Sequence, residues 1–348
     1  MTESLRPETI DDVVTVIATA RAAGEPVCFR GSGSQLDALP SPTGTPVSMM
    51  GLSGVVDHQP DDLTISVRSG TTLAELDEVL EPHGQTAVLP EGHPGRTVGG
   101  VVASGDSGYR RLRYGPTSDR VLGVTLVTGY GEVVRGGGPL VKNVTGYDVP
   151  RLVTGSHGTL GALATVTLKL WPIPAAAATF DVGDPYAAFA GLYKPLAVVD
   201  TEQGASAYVE GSPGVITDAA DRLGVDPEPG LRWPTPISSA VVVSVRVPAR
   251  SLLHATDIVR RHGATQWRAH VGVGELTVGF DAMDEAALAE LREEIGALVG
   301  IVVVERWSHE AIDDRWGVVP EGVDVQRRLK DLFDPDRVCN PGQLPGDI

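Results

Sequence analysis

The sequence predicts an α+β protein of two domains, and three observations carry that expectation. Residues 1–172 alternate short strands, glycine-rich turns and a few helices. Pro172 and Pro174 then stop strand continuation. Residues 241–307 run strand, helix, strand, strand, helix, strand, the order of a ferredoxin-like sandwich. The expected boundaries are 1–174 for the first domain, 175–322 for the second, and 323–348 for a helix and tail returning to the first. With 348 residues, 42% of them hydrophobic, the chain has enough apolar side chains for a sizeable core, and wholesale disorder is excluded.

In order along the chain, Ile10, Val13, Val14 and Ile17 repeat at helical spacing between Thr9 and Ala23, and Gly24 ends the pattern. "PVCFRG" follows as a strand entering a turn. "DLTISVRSG" is a second strand. In "TTLAELDEVLEPHG", Thr71 or Thr72 caps a helix whose Leu73, Leu76, Val79 and Leu80 share a face. "DRVLGVTLVTGYGEVVRGG" is a hairpin turning around Thr128 to Gly131. "LGALATVTLKLWPIP" alternates only loosely through Leu163, Val166, Leu168 and Leu170. After a less patterned stretch come "VVVSVRV", "SLLHATDIVRRHG", "TQWRAHV", "ELTVGF", "DEAALAELREEIGAL" and "IVVVERW", then an amphipathic helix and a proline-punctuated tail.

Acidic residues outnumber basic ones 45 to 28, a formal charge of −17, and the lysines are Lys142, Lys169, Lys194 and Lys330. Such a chain repels nucleic acid and anionic membrane, so any polyanion it binds needs a local device. Cys28 and Cys339 have no metal spacing and are read as reduced, partly buried thiols. "MTESLRPETIDDVV" lacks the features of a signal peptide and no run of eighteen apolar residues follows, so the expectation is a cytoplasmic protein without an integral membrane segment. The eight histidines are scattered, and no metal site is expected.

Three glycine-rich segments supply a local device: "RGSGSQ" from Arg30, "PEGHPGRTVGGVVASGDSGYRRLRYG" from Pro90, and "KNVTGYDVPRLVTGSHGTLG" from Lys142. Glycine and serine backbone can wrap a diphosphate with aimed N–H dipoles where an acidic surface would repel it. There is no G-x-x-x-x-G-K-[ST], and "GSGSQL" is not a Rossmann G-x-G-x-x-G. In the third segment Asp148 caps a short helix from Val149 to Thr154, with Pro150 in its first turn and Gly155 after it. Tyr147 is read as packing, and Lys142 as neutralising either a phosphate or a buried carboxylate.

These segments resemble the flavoproteins of the vanillyl-alcohol-oxidase (PCMH-type) superfamily. "TVGGVVASGDSGYRRLRYGPTSDRVLGVTLVTGYGEVVRGGG", "KNVTGYDVPRLVTGSHGTLGALATVTLKLWPIP" and the ending "LFDPDRVCNPGQL" are similar to FAD-binding subunits of bacterial glycolate oxidases. The resemblance implies a two-subdomain PCMH-type FAD-binding domain followed by a ferredoxin-like cap. It implies Arg30, Gly31, Ser32, Gly33 and Ser34 around the pyrophosphate, with Thr97, Val98, Gly99 and Gly100 opposite. Ser104, Gly108, Tyr109 and Arg110 would approach the flavin, and Ser156, Thr159, Gly161 and Leu163 would hold the adenosine end. Ser34 stands where covalent members carry histidine, so noncovalent FAD is expected.

For chemistry, the resemblance implies oxidation of a small 2-hydroxy acid, yet the cap lacks the Gly-Asp-Gly-Asn-His signature of relatives; "RAHVGVGEL" keeps only His270 and reads as strand and hairpin turn. Arg110 or Arg111 would grip the carboxylate and His309, beside Glu310, would be the base; Arg113, Tyr114, Arg96 and His93 are further candidates. Two readings stay open: an autonomous 2-hydroxy acid (or sugar or lactone) oxidase, or a flavin-carrying subunit working beside a homologous flavin subunit and an iron-sulfur subunit. Membrane contact, if any, would be peripheral and made through that complex.

Overall fold

The protein is described by a computed structural model, which covers residues 5–34, 43–138, 147–307, 312, 314–346 and 348. Helix α1 (Ile10–Ala23) starts at Thr9, whose hydroxyl accepts from Asp12 N while the Asp12 carboxylate accepts from Thr9 N, and it ends at left-handed Gly24. Strands β1 (Val27–Arg30) and β2 (Thr45–Ser48) pair in parallel. There follow β3 (Val55–Gln59), β4 (Thr64–Arg68), α2 (Leu73–Leu80), the two-residue β5 (Gln85–Thr86), α3 (Val98–Ser104) and α4 (Arg111–Tyr114). The hairpin β6 (Val121–Thr128)–β7 (Val133–Gly137), α5 (Val149–Val153), β8 (Gly161–Lys169) and the two-residue β9 (Trp171–Pro172) complete this part. Of the two threonines offered as the cap of α2 it is Thr72 that serves, in a reciprocal pair with Glu75.

An antiparallel sheet in the order β3-β4-β8-β6-β7 separates two apolar layers. Helix α1 packs Val13 and Ile17 on one side with Ala162 and Ala164; α2, α3 and α5 pack on the other with Val166 and Leu168. The loose alternation of β8 has a cause. Thr125 pairs with Thr165 but Leu126 with Leu163, so one step on β6 spans two on β8 and the bulge at Ala164 flips the faces. Leu163 thereby joins Val166 and Leu168 in one core although its parity is opposite.

The second part contains a duplication. Its first unit is β10 (Ala176–Val182), α6 (Pro185–Gly191), β11 (Ala197–Thr201), β12 (Gly204–Gly211), α7 (Pro213–Leu223) and β13 (Glu228–Pro229). Its second is β14 (Val241–Arg246), α8 (Leu252–Arg261), β15 (Gln266–His270), β16 (Glu275–Phe280), α9 (Glu285–Gly296) and β17 (Ile301–Arg306). Both are βαββαβ, and their second strands pair antiparallel, giving one sheet in the order β13-β10-β12-β11-β15-β16-β14-β17. The single ferredoxin-like unit expected from the sequence is therefore one of two. The stretch read as less patterned holds its twin, whose strands use alanine ("AAATFDV", "GASAYVEG") where the second uses valine.

One face of this sheet is apolar and meets its four helices, through residues such as Phe180, Val198, Val243 and Val278. The opposite face carries Tyr208, Glu210, Ser244, Arg246, Glu275 and Glu305, and it docks on the first part. Tyr109 stacks on Trp233 (ring centroids 5.2 Å apart) and tilts against His270 (4.8 Å), while Tyr208 stacks on the far side of the cluster (4.4 Å from Trp233). Arg111 reaches Glu275 at 3.1 Å, Arg113 donates to Glu210 O at 2.9 Å, and the Tyr114 hydroxyl donates to the Glu210 carboxylate.

Burial pushes the Tyr109, Tyr114 and Tyr208 hydroxyls up to about 12, Glu210 adding to the effect at Tyr114. A tyrosine held above its unfolded value near 10 contributes stability in full below pH 10 and loses it as pH rises through 12. Alkaline titration followed at 295 nm should therefore show these phenolates appearing late and together with loss of near-ultraviolet circular dichroism. Smooth ionisation near pH 10 without unfolding would show that the docking cluster is not closed.

Candidate cofactor and substrate site

Three chain segments distant in sequence meet over α3. Strand β1 ends at Arg30 and turns through Gly31 to Ser34, α3 begins at Val98, and the loop from Gly155 leads into β8 at Gly161. With Asn340 from the tail they line one groove, whose walls include Phe29, Arg30, Gly31, Thr97, Gly100 and His157, and whose deeper arm reaches Gly161 and Leu163.

The groove is backbone-walled because glycine lets its walls close. A β-carbon on Gly31 would run into the Thr97 side chain. One on Gly99 would lie 2.6 Å from Ser69 Cβ and 2.8 Å from Ser69 O. Thr97 Oγ1 accepts from Gly100 N at 3.2 Å, so it is fixed as the cap of α3. Val98 N and Gly99 N donate to the carbonyls of Thr71 and Ser69. Segment 97–100 thus supplies shape, and the donors come from elsewhere.

Among the described residues, no main-chain acceptor takes the N–H of Gly31, Ser32, Gly33 or Ser34. Arg30 Nε and Ser69 Oγ, both lining the groove, are buried without a hydrogen-bond partner. Orphaned polar atoms are rare inside proteins, and two of the six such side-chain atoms among the described residues meet in this groove. A row of backbone N–H groups beside a guanidinium suits a diphosphate, and a narrow glycine-walled arm suits an adjoining nucleotide; the residues present fit FAD.

The tail builds the groove from behind. Val27 N donates to Val338 O at 2.7 Å and Asn340 N to Val27 O at 3.0 Å, so the tail runs along β1. The Asn340 amide accepts from Phe29 N at 2.7 Å and donates to His157 O at 3.0 Å, tying two groove walls together. Lys330, fully buried in α10 (Val323–Phe333), donates to Thr159 O, Asp334 Oδ2 and Cys339 O at 2.6, 2.8 and 2.8 Å.

The structure distributes the sequence-derived candidates unevenly. Arg30, Gly31, Ser32, Gly33, Ser34, Thr97, Gly99, Gly100, Ser104, Gly161 and Leu163 line the groove or its arm. Val98 is buried in the core beneath. Ser156 and Thr159 are buried as well, the Thr159 hydroxyl donating to Ser156 O, so they shape the loop rather than line the groove. Gly108, Tyr109 and Arg110 are not brought to it. Gly108 packs on Pro90 and Glu91, Tyr109 is taken by the Trp233–His270 cluster, and Arg110 is held by Glu91 at 2.6 Å and Leu89 O at 3.0 Å. Arg110 therefore lines neither the groove nor the cavity beside it.

Tyr147 does not pack, being 94% exposed, although Asp148 caps α5 as its sequence suggests, accepting from Arg151 N. Arg96 lines the groove, paired to Asp106 at 2.8 Å, and His93 accepts from Gly95 N in an exposed turn. His309, Glu310 and Lys142 lie outside the described residues. Sequence reasoning missed Ser69, His157, Arg315 and Asn340. His157 and Asn340 sit in quoted motifs, "GSHGTLG" and "CNPG", but nothing local marks their side chains.

The groove adjoins an interdomain cavity of about 730 Å³, with Ser104, His157 and Arg315 common to both. Alternation along β14, β16 and β17 puts Ser244, Arg246, Glu275, Thr277, Val303 and Glu305 on its cap side. Arg111 and Arg246 flank Glu275 at 3.1 and 3.6 Å, and Arg315 lies 3.6 Å from Glu305. Burial pushes the Glu305 carboxyl up. The same burial, with Arg315 and Arg246 nearby, pushes the His157 imidazole down to about 4, so it is neutral at physiological pH. Among the described residues, no group of three or more His, Cys, Asp or Glu is arranged to hold a metal ion, and no helix is long and apolar enough to cross a membrane.

Residues 4–137 match the family described as "FAD binding domain". The chain is 39% identical over 153 residues to the glycolate oxidase subunit GlcE of Escherichia coli, covering 43% of this chain and 44% of that protein. It is 31% identical over 173 residues to the glycolate oxidase subunit GlcD of Bacillus subtilis (49% and 37%), and 30% over 170 residues to a D-lactate dehydrogenase of Archaeoglobus fulgidus (48% and 38%). The matched segments thus span less than half the length of these relatives. An alkyldihydroxyacetonephosphate synthase superposes at a TM-score of 0.69 over 97% of this chain and 75% of its own, at 15% identity, which is a likeness of fold.

Proposed function

We propose, from the match of residues 4–137 to the FAD-binding domain family and the likeness to glycolate oxidase subunits, that the chain is the FAD-binding subunit of a glycolate-oxidase-like 2-hydroxy acid dehydrogenase. One observation carries the reading: a groove with converging orphaned donors opens, through Ser104, His157 and Arg315, into a cavity bearing several arginines. FAD, held without a covalent link, supplies acceptance of a hydride from the substrate carbon. Arg30 and the N–H groups of Gly31 to Ser34 hold its diphosphate, and the cap sheet covers the cavity where substrate enters. Arg111, Arg246 and Arg315 are the groups that bind and orient a small carboxylate. Glu275 and Glu305 keep those guanidiniums apart and aimed.

A second reading has its own support. Two of the relatives are named as oxidase subunits, so the chain also suits a flavin-carrying role beside a homologous flavin subunit and an iron-sulfur subunit that takes the electrons onward. The cytoplasm, with any membrane contact made through that assembly, is the proposed location. The two readings separate in one experiment. The chain reconstituted with FAD is mixed anaerobically with glycolate or D-lactate. Bleaching of the flavin bands is the expected result for catalysis in this chain; persistent bands favour the carrier role; no bands after reconstitution would overturn both.

A further inference from the structure

Among the described residues, His157 is the one that lines the groove, its deeper arm and the interdomain cavity together. Its backbone is left-handed, at φ 53°, a conformation uncommon outside glycine, and it is fixed there from both sides. Its N–H donates to Ala103 O at 2.8 Å and its carbonyl accepts from Asn340 Nδ2 at 3.0 Å. The ring meets Trp316 edge-on at 5.8 Å, and among the described residues neither ring nitrogen has a hydrogen-bond partner. Oriented this firmly, and with both ring nitrogens uncommitted among the described residues, His157 stands at the junction of the groove and the interdomain cavity.

We propose that His157 is the base of this site, taking the hydroxyl proton of a 2-hydroxy acid whose carboxylate is held by Arg246 and Arg315. The inference rests on the functional reading above and gives that site the proton acceptor it lacks. The step balances: the substrate loses a hydride from its C2 atom to the oxidised flavin and its hydroxyl proton to the imidazole, and a 2-oxo acid departs. The imidazolium then returns its proton to water through the cavity.

The charged groups facing His157 are consistent with this. Asp106, Arg111 and Arg151 come from the first domain, Arg246, Glu275 and Glu305 from the cap sheet, and Arg315 from the segment after it, all lining the cavity that His157 shares. Arg30 and Arg96 approach from the groove. Burial first, then Arg315 and Arg246, hold the free imidazole at about 4, in the neutral form that can accept a proton. A carboxylate arriving on those guanidiniums offsets their charge, so the base becomes stronger when substrate binds.

The test uses the full chain reconstituted with FAD and the variant His157→Asn, since asparagine tolerates the left-handed backbone. FAD retention and the flavin difference spectrum produced by oxalate, a dianion that cannot be oxidised by hydride loss, should stay within about threefold of the parent. Anaerobic reduction by D-lactate or glycolate should slow by at least ~100-fold and lose its dependence on pH at the acidic side. In parent protein with isotope-labelled histidine, oxalate should raise the titration midpoint of the His157 imidazole. Reduction of the variant within threefold of the parent, or an imidazole indifferent to oxalate, would overturn the proposal while leaving the functional reading intact. A parent protein that neither binds oxalate nor is reduced by any 2-hydroxy acid would overturn both.

Discussion

Replacing Gly31 with valine should abolish FAD retention while leaving the chain folded. The added β-carbon falls on the Thr97 side chain, and Thr97 cannot step aside cheaply. It is 2% exposed, and its hydroxyl accepts the Gly100 N–H that starts α3. If Thr97 rotates, the helix loses a cap worth about 1 kcal/mol; if Gly31 moves, the N–H row from Gly31 to Ser34 loses its aim at the diphosphate. Both routes act on the groove and neither breaches the two apolar layers. The expected result is a dissociation constant weakened by at least ~100-fold, about 2.7 kcal/mol, read from flavin fluorescence quenching, with little change in the far-ultraviolet spectrum. Gly100→Ala is the graded comparison, because its β-carbon meets only Thr97 Oγ1, at 3.0 Å. Full flavin occupancy in the valine variant would mean that the cofactor lies elsewhere.

The groove was half legible in the sequence, and the half that was legible is local. Runs of glycine after a strand or at a helix start announce backbone that something must approach, while the placing of Arg30 to Ser34 and Thr97 to Gly100 around a diphosphate came from the family resemblance. What a short motif cannot announce is which side chains turn inward. Tyr109 and Arg110 follow the glycines of the same segment but are pulled to the cap by Trp233 and retained by Glu91, partners more than 120 residues later and 19 residues earlier, respectively. His157 and Asn340 were in view but became meaningful only when the tail was laid along β1. The fold divides in the same manner. Thr72 and Asp148 cap their helices because capping is a three-residue matter, whereas the first βαββαβ unit escaped notice because alanine in its strands carries little β signal. Its strands are fixed by neighbours in the sheet, which the local sequence does not contain.

The largest effect on stability should come from Lys330→Met. All three protons of the Lys330 ammonium are used, on Thr159 O, Asp334 Oδ2 and Cys339 O, and both members of the ion pair have side chains with no solvent exposure. Methionine fills a similar volume but leaves the Asp334 carboxylate buried without its counter-charge and two carbonyls without donors. Removing one partner from a buried pair costs roughly 3–5 kcal/mol, because the remaining charge has lost both water and its neighbour. Arg222 and Asp218 make the instructive contrast. They have the same i,i+4 relation and a shorter contact, 2.7 Å against 2.8 Å, but their side chains are 50% and 55% exposed. Arg222→Met should leave the unfolding midpoint in urea where it was, since water replaces the lost partner. The Lys330 variant should also lose FAD, because the carbonyl of Thr159 and the turn carrying Asn340 are positioned by the same ammonium. Equal midpoints for the two variants would show that the tail is an appendage; a large loss confined to Lys330→Met, with weakened flavin binding, would show that residues 323–348 are part of the cofactor domain.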